Sequence, residues 1–234
     1  VAKRDTSGSE SESGHSRLPR GRHGLPPEVV AENQRERLVA GIIEAVGEDG
    51  YGATTIGAIV KAAGLSRKTF YQHFANKEEC FKAAYEATFG YLLAAIEAVD
   101  PEKGWGETVR ARLRRLLEIL TAEPELASFF LVSPTSVGDE IAERHHEAMR
   151  ELVGALTAGA PKRGEKSAPV GSREQALAGG ISRLIVRKLG EGEAAALPEL
   201  SPALTELVLW PYLGGEEAVR IAGQPSRRRG GSRA

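Results

Sequence analysis

Arg67, Lys68, Thr69, Tyr71, Gln72 and His73 fall within one run of seven residues, RKTFYQH. Wound as a helix, the run places Phe70 and Phe74, four apart, on one face and turns the six polar residues to the other. That second face offers cations, hydroxyls, an amide and an imidazole, and no carboxylate. Such an inventory can hydrogen-bond base edges and neutralise phosphates. A helix of about eight residues is roughly 12 Å long and suits a major groove about 12 Å wide. A merely solvated helical hairpin would use similar residues, but the surrounding charge pattern favours a polyanion. Between Asp49 and Glu78 there is no acidic residue, in a chain with 32 Asp and Glu, and Lys61, Arg67, Lys68 and Lys77 all lie in that gap.

Three short elements must hold this face in place. Thr54 is read as the cap of a preceding helix whose Ile56, Ile59 and Val60 form an apolar stripe. Gly64 stops that helix, because glycine enters the left-handed region without steric cost. Leu65 plugs the corner, and Ser66 caps the next helix, expected from Arg67 to about Phe74. Asn76 caps a further helix, with Glu79 completing a capping box. Lys77 stands in the first turn of that helix, where its charge opposes the macrodipole. This placement is understandable if the helix start meets a DNA phosphate. Upstream, residues 27 to 50 read as a long helix, with Leu38, Ile42 and Val46 at four-residue steps beside Val39 and Ile43.

The paired threonines Thr54-Thr55, Ile59, Ala63-Gly64-Leu65-Ser66, Thr69-Phe70-Tyr71, His73-Phe74 and Asn76-Lys77-Glu78 together resemble the DNA-binding domain of the TetR (tetracycline-repressor-like) family of bacterial transcription regulators. The resemblance is close from Pro27 to Ala87 and elsewhere extends only to helical character and length. It implies a homodimeric regulator that binds a palindromic operator through Arg22, Thr54, Thr55, Arg67, Lys68, Thr69, Tyr71, Gln72, His73 and Lys77. It also implies release by a small-molecule effector, apolar or amphipathic, and a fourth helix that transmits ligand binding to the DNA-reading end.

Other chemistry finds little support. The net charge of −1 confines any polyanion-binding surface to one region. A single cysteine, Cys80, excludes an internal disulfide framework or a multi-cysteine zinc site. Adjacent His145 and His146 point about 100° apart on a helix and chelate one ion poorly, even with Glu143 and Glu147 nearby. Ser133, Ser136, Asp139 and His145 lack a nucleophile elbow or an oxyanion loop. The glycine pairs at 179–180 and 214–215 are not followed by the residues of a phosphate loop, and the first pair suits close helix approach. The expectation is therefore a non-enzyme without metal or cofactor. No run of apolar residues is long enough for a membrane span, and no secretory signal is visible, so a cytoplasmic location without membrane association is expected.

No strand-like alternation occurs, and the chain reads as all-α. The expected division is a disordered basic arm over 1–26, a three-helix helix-turn-helix domain over 27–76, a helical effector-binding and dimerisation domain over 77–223, and a disordered basic tail over 224–234. Residues 158–172 read as a flexible loop. Phe89, Trp105, Phe129, Phe130 and Met149 are expected to line an effector pocket, although the same residues would fill a core equally well. Leu177, Ile181, Leu184 and Ile185, with Leu204, Leu207 and Val208, are expected to form a four-helix dimer seam. The function read from the sequence is a DNA-binding regulator, a repressor in sense. A helical adaptor or enzyme that keeps the helix-turn-helix shape is the alternative.

Overall fold

The computed structural model describes residues 26–161 and 172–224. The expected arm with Arg22, most of the 158–172 loop and the basic tail lie outside the described residues. Among those described, ten α-helices and two short 3-10 segments occur without a strand: α1 (Pro27–Asp49), α2 (Ile56–Ala63), α3 (Arg67–His73), α4 (Lys77–Glu97), α5 (Trp105–Ala122), α6 (Pro124–Leu131), α7 (Asp139–Leu156), α8 (Ser172–Gly190), α9 (Ser201–Leu213) and α10 (Gly215–Ala222). The 3-10 segments, Ser133–Ser136 and Ala194–Leu200, tighten the chain before α7 and α9.

The first three helices close on one another through small residues. A Cβ on Gly41 of α1 would stand 2.7 Å from the Ile59 carbonyl oxygen of α2. Glycine therefore sets how closely these helices cross. Leu38, Ile42 and Val46 of α1 are buried with Ile59, Val60, Phe70 and Phe74. Gly64 takes φ 62° and ψ 37°, ends α2 and turns the chain into α3.

α1 also touches the rest of the molecule directly. At Gly47 a Cβ would lie 2.3 Å from the Glu125 carbonyl oxygen at the start of α6, so no larger side chain fits that contact. A line of aromatic rings runs alongside. Tyr51 meets Phe81 edge-on at 5.3 Å, Phe81 meets Phe129 at 4.6 Å, and Tyr85 stacks on Phe130 at 5.0 Å. The helix-turn-helix end is thereby packed into α4 and α6 rather than tethered by a linker.

α5 contributes two arginines as clamps. Arg110 donates to the carbonyls of Ile221 and Gln224 at the end of α10, and Arg112 to those of Ala155 and Leu156 at the end of α7. A guanidinium there satisfies orphan carbonyls and complements the helix dipole. α9 begins at Ser201, and its N-terminus has no side-chain cap.

Packing within the subunit accounts for two groups of residues singled out by spacing. Phe89, Phe129, Phe130 and Met149 are all buried as ordinary core, while Trp105 is half-buried, edge-on to Tyr212 and donating from Nε1 to the Thr157 carbonyl. None of the five lines either of two sizeable clefts on the molecule. Leu177, Ile181, Ile185, Leu204 and Val208 are also buried within the subunit. Only Leu184 and Leu207 of the expected seam remain part-exposed. Apolar spacing marks faces that leave water, but it does not distinguish a subunit core from a partner.

Candidate nucleic-acid interface

α3 is held at both ends by its own sequence. The Ser66 hydroxyl accepts from the Thr69 amide at 3.0 Å, as an N-cap should. Asn76 accepts from the Glu79 amide at 2.9 Å, and the Glu79 carboxylate accepts in return from the Ala75 amide at 2.6 Å. This reciprocal box fixes the chain direction between α3 and α4. Phe70 is fully buried, Phe74 nearly so, and the two rings lie 5.8 Å apart. These anchors leave Arg67, Lys68, Tyr71 and Gln72 exposed on one side. Tyr71 is 59% exposed and stands edge-on to Phe70. Thr69 is part-exposed, its hydroxyl 2.9 Å from that of Ser66.

Three other expected contact residues have structural work. Thr54 is buried and donates to the carbonyls of Ala45 at 3.0 Å and Gly50 at 2.8 Å. It locks the loop after α1 and is not on the outer surface. The cap of α2 is Thr55 instead, whose hydroxyl accepts from the Ala58 amide at 3.2 Å while its side chain stays exposed. Lys77 bends back across Tyr51. Its ammonium donates to the carbonyls of Tyr51 at 2.7 Å and Thr54 at 2.9 Å, and sits 3.9 Å from the centre of the Tyr51 ring. Burial lowers its pKa from the ordinary lysine value. The charge that opposes the α4 dipole is thus compensated by two carbonyls and a π-face, without any phosphate. His73 is half-buried, with Nε2 3.2 Å from Gln34 Oε1 of α1. It braces α3 against α1 more than it faces outward.

The outer surface therefore consists of Thr55, Arg67, Lys68, Thr69, Tyr71 and Gln72, with Lys61 exposed near the end of α2. Arg67 lies against the start of α2, its Nη2 3.0 Å from where a Gly57 Cβ would stand. Gly57 leaves that guanidinium room beside Thr55 and was not singled out by spacing. The patch has donors, acceptors and cations on a rigid helix, which suits DNA recognition, and it has no nucleophile–base arrangement. Among the described residues no cluster of His, Cys, Asp or Glu could hold a metal ion, and no helix is long and apolar enough to cross a membrane.

Comparison with known proteins places this geometry. Residues 38–84 match the model of the family described as bacterial regulatory proteins, tetR family. Over 59 residues the chain is 29% identical to the biofilm operon icaADBC HTH-type negative transcriptional regulator IcaR of Staphylococcus epidermidis. That match covers 25% of this chain, which spans about a third (32%) of the length of the relative. Among solved structures, a TetR family transcription regulator from Marinobacter aquaeolei VT8 aligns with a TM-score of 0.60 at 20% identity, over 79% of this chain and 97% of that one. FadR from Bacillus subtilis, in complex with stearoyl-CoA, aligns with a TM-score of 0.60 at 19% identity, over 76% and 98%. TylP from Streptomyces fradiae aligns with a TM-score of 0.59 at 20% identity, over 81% and 91%. At these identities the structural matches show a common fold.

Proposed function

We infer that this chain, which belongs to the TetR family of bacterial regulatory proteins, binds a palindromic operator as a homodimer, represses transcription from it and releases it when a small-molecule effector binds. The observation that carries the DNA-binding part is the exposed, acid-free face of α3, seated on buried Phe70 and Phe74. In this reading Tyr71, Gln72 and Thr69 meet base edges, while Arg67 and Lys68 meet phosphates.

The pairing surface is the outer side of α8 and α9. Ala176, Gly180 and Leu184 recur at four-residue steps on α8, and Ala203, Leu207 and Trp210 form a matching stripe on α9. Trp210 is 54% exposed, and Gly180 leaves room for Leu207, which would stand 3.0 Å from a Cβ there. These residues are free or only part-buried because the neighbouring stripe, Leu177, Ile181, Ile185, Leu204 and Val208, fills the subunit core. Two such pairs of helices pack as a four-helix bundle. A two-fold axis through them would offer two α3 helices to one face of a duplex, about one turn apart or somewhat wider.

Selection of duplexes from a random pool by the full chain tests this reading. Enrichment of a palindrome, bound by two chains and weakened steeply by salt, is the expected outcome. A pool that stays random after repeated rounds overturns it.

A further inference from the structure

Gly57 is the second residue of α2, a position at which alanine would be the better helix former. The fold does not require glycine there. Gly57 has no positive φ, unlike Gly64. At Gly41 and Gly47 a Cβ would run into the backbone of another helix. At Gly57 the nearest atoms, apart from the chain's own helical backbone, belong to two side chains. Arg67 Nη2 lies 3.0 Å and Cζ 4.0 Å from where the Cβ would stand, and the Thr55 hydroxyl oxygen 3.4 Å. The Arg67 guanidinium is therefore seated against bare α2 backbone, in space that a side chain would fill.

The seated guanidinium is uncommitted. Among the described residues Arg67 has no hydrogen bond, ion pair or ring contact. The neighbouring cations are engaged. Arg37 donates to the carbonyls of Ala63 and Gly64 at the end of α2, and Arg35 lies over the Phe74 ring at 5.4 Å. Lys77, at the start of α4, has its two carbonyls and the Tyr51 ring. Arg67 opens α3 and lies over the first turn of α2, so its charge faces the positive ends of two helices. No acceptor among the described residues compensates it. All its N–H donors remain at an exposed position, and an anion is the ligand that would relieve the charge.

We propose that Gly57 is a positioning residue for DNA binding: its missing Cβ seats the Arg67 guanidinium against α2, and this seat sets the direction in which the free donors meet a phosphate. This role rests on the DNA-binding reading above, which assigns the phosphate contact to Arg67 and no part to Gly57. An arginine without the seat keeps its charge but spreads over more rotamers, and fixing one of them on binding costs side-chain entropy. The seat lowers that cost before DNA arrives. A methyl group at position 57 would make the guanidinium give way slightly, and a larger side chain would occupy the seat outright. Glycine at this position therefore favours binding at the expense of helix stability.

The test is a double-mutant cycle on the full chain: wild type, Gly57→Leu, Arg67→Ala and the pair, each titrated with a selected operator. Gly57→Leu should melt no lower than wild type, because leucine is the better helix former, yet bind the operator about two- to tenfold more weakly per bound chain. In the Arg67→Ala background the same substitution should change affinity by less than about twofold. Gly57→Ala repeats the cycle with a smaller loss in the same direction. Equal losses in both backgrounds would mean that the new side chain meets DNA itself or distorts α2, and would overturn the role. Wild-type affinity in Gly57→Leu overturns it as well. Arginine side-chain NMR of the free chain reads the seat without DNA: Gly57→Leu should move the Arg67 Nε–Hε signal, and an unmoved signal overturns the seat. A wild-type chain that binds no duplex overturns the DNA-binding reading and the role of Gly57 together, and the NMR still decides the seat.

Discussion

Replacing Lys77 with methionine separates two roles that its position alone does not distinguish. Met keeps most of the stem and removes the ammonium. In the structure that ammonium makes two hydrogen bonds, to the Tyr51 and Thr54 carbonyls, and a contact 3.9 Å from the Tyr51 ring centre. Charge-assisted hydrogen bonds contribute about 1.5–3 kcal/mol each, and a cation–π contact at a part-exposed site about 0.5–1 kcal/mol. Two bonds from one part-exposed group are not additive. The expected loss of stability is therefore about 2–3 kcal/mol, or roughly 5–10 °C in melting temperature for a chain of this size. Urea unfolding at fixed protein concentration reads the first quantity, and the salt dependence of operator binding reads the alternative. A brace predicts a salt slope unchanged between wild type and variant, measured below both melting temperatures. A phosphate ligand predicts a slope flatter by about one unit per lost contact. A variant of wild-type stability with a flattened slope would refute the structural account of Lys77.

Thr54→Val should cost about 1–2 kcal/mol of stability, because the buried carbonyl acceptors of Ala45 and Gly50 lose their donor; the same urea titration checks this. Burial, with His146 as the lesser cause, pushes the pKa of His145 down to about 4, and its Nδ1 lies 2.8 Å from the Tyr85 hydroxyl. The unfolded chain takes up a proton there near pH 6.5 and the folded chain only near 4. Stability is thus lost as pH falls through that window, by up to roughly 3 kcal/mol, and His145→Gln should remove this part of the pH dependence of the melting temperature. Trp210→Glu, at an exposed position, should leave the subunit folded by circular dichroism and shift it to a monomer in sedimentation; a tight dimer would refute the proposed pairing face. Gly47→Ala should destabilise by about 1–3 kcal/mol through overpacking against the Glu125 backbone, and a neutral melting temperature would contradict so close a contact.

The local signals in the chain were strong where a single residue decides the backbone. Gly64, Ser66, Asn76 and Glu79 mark the turn, the caps and the box as they stand in the structure, because each acts through its immediate neighbours. Thr54 and Thr55 were exchanged in role, since adjacent threonines have equal capping ability and only the loop path decides which hydroxyl turns inward. The brace made by Lys77 has no sequence signature, because its partners, 23 and 26 positions earlier, are backbone carbonyls. The helices of the C-terminal part were legible as helices, but their neighbours were not. α8 carries two adjacent apolar stripes, and nothing in the spacing says that Leu177, Ile181 and Ile185 turn inward while Gly180 and Leu184 remain available. Phe129 and Phe130 met the same ambiguity, and the structure uses both as core.

Sequence reading by the outer face of α3, as proposed, depends on exposed side chains such as Gln72. Affinity of the wild type and of Gln72→Ala for a selected palindrome, and for the set of its single-base variants, tests it most directly. Gln72 is exposed, so its truncation should leave the melting temperature unchanged. The expected outcome is a loss of about 1–3 kcal/mol on the selected palindrome and relaxed preference at one symmetric pair of positions, with preference elsewhere retained. Full affinity with an unaltered preference at every position would contradict it.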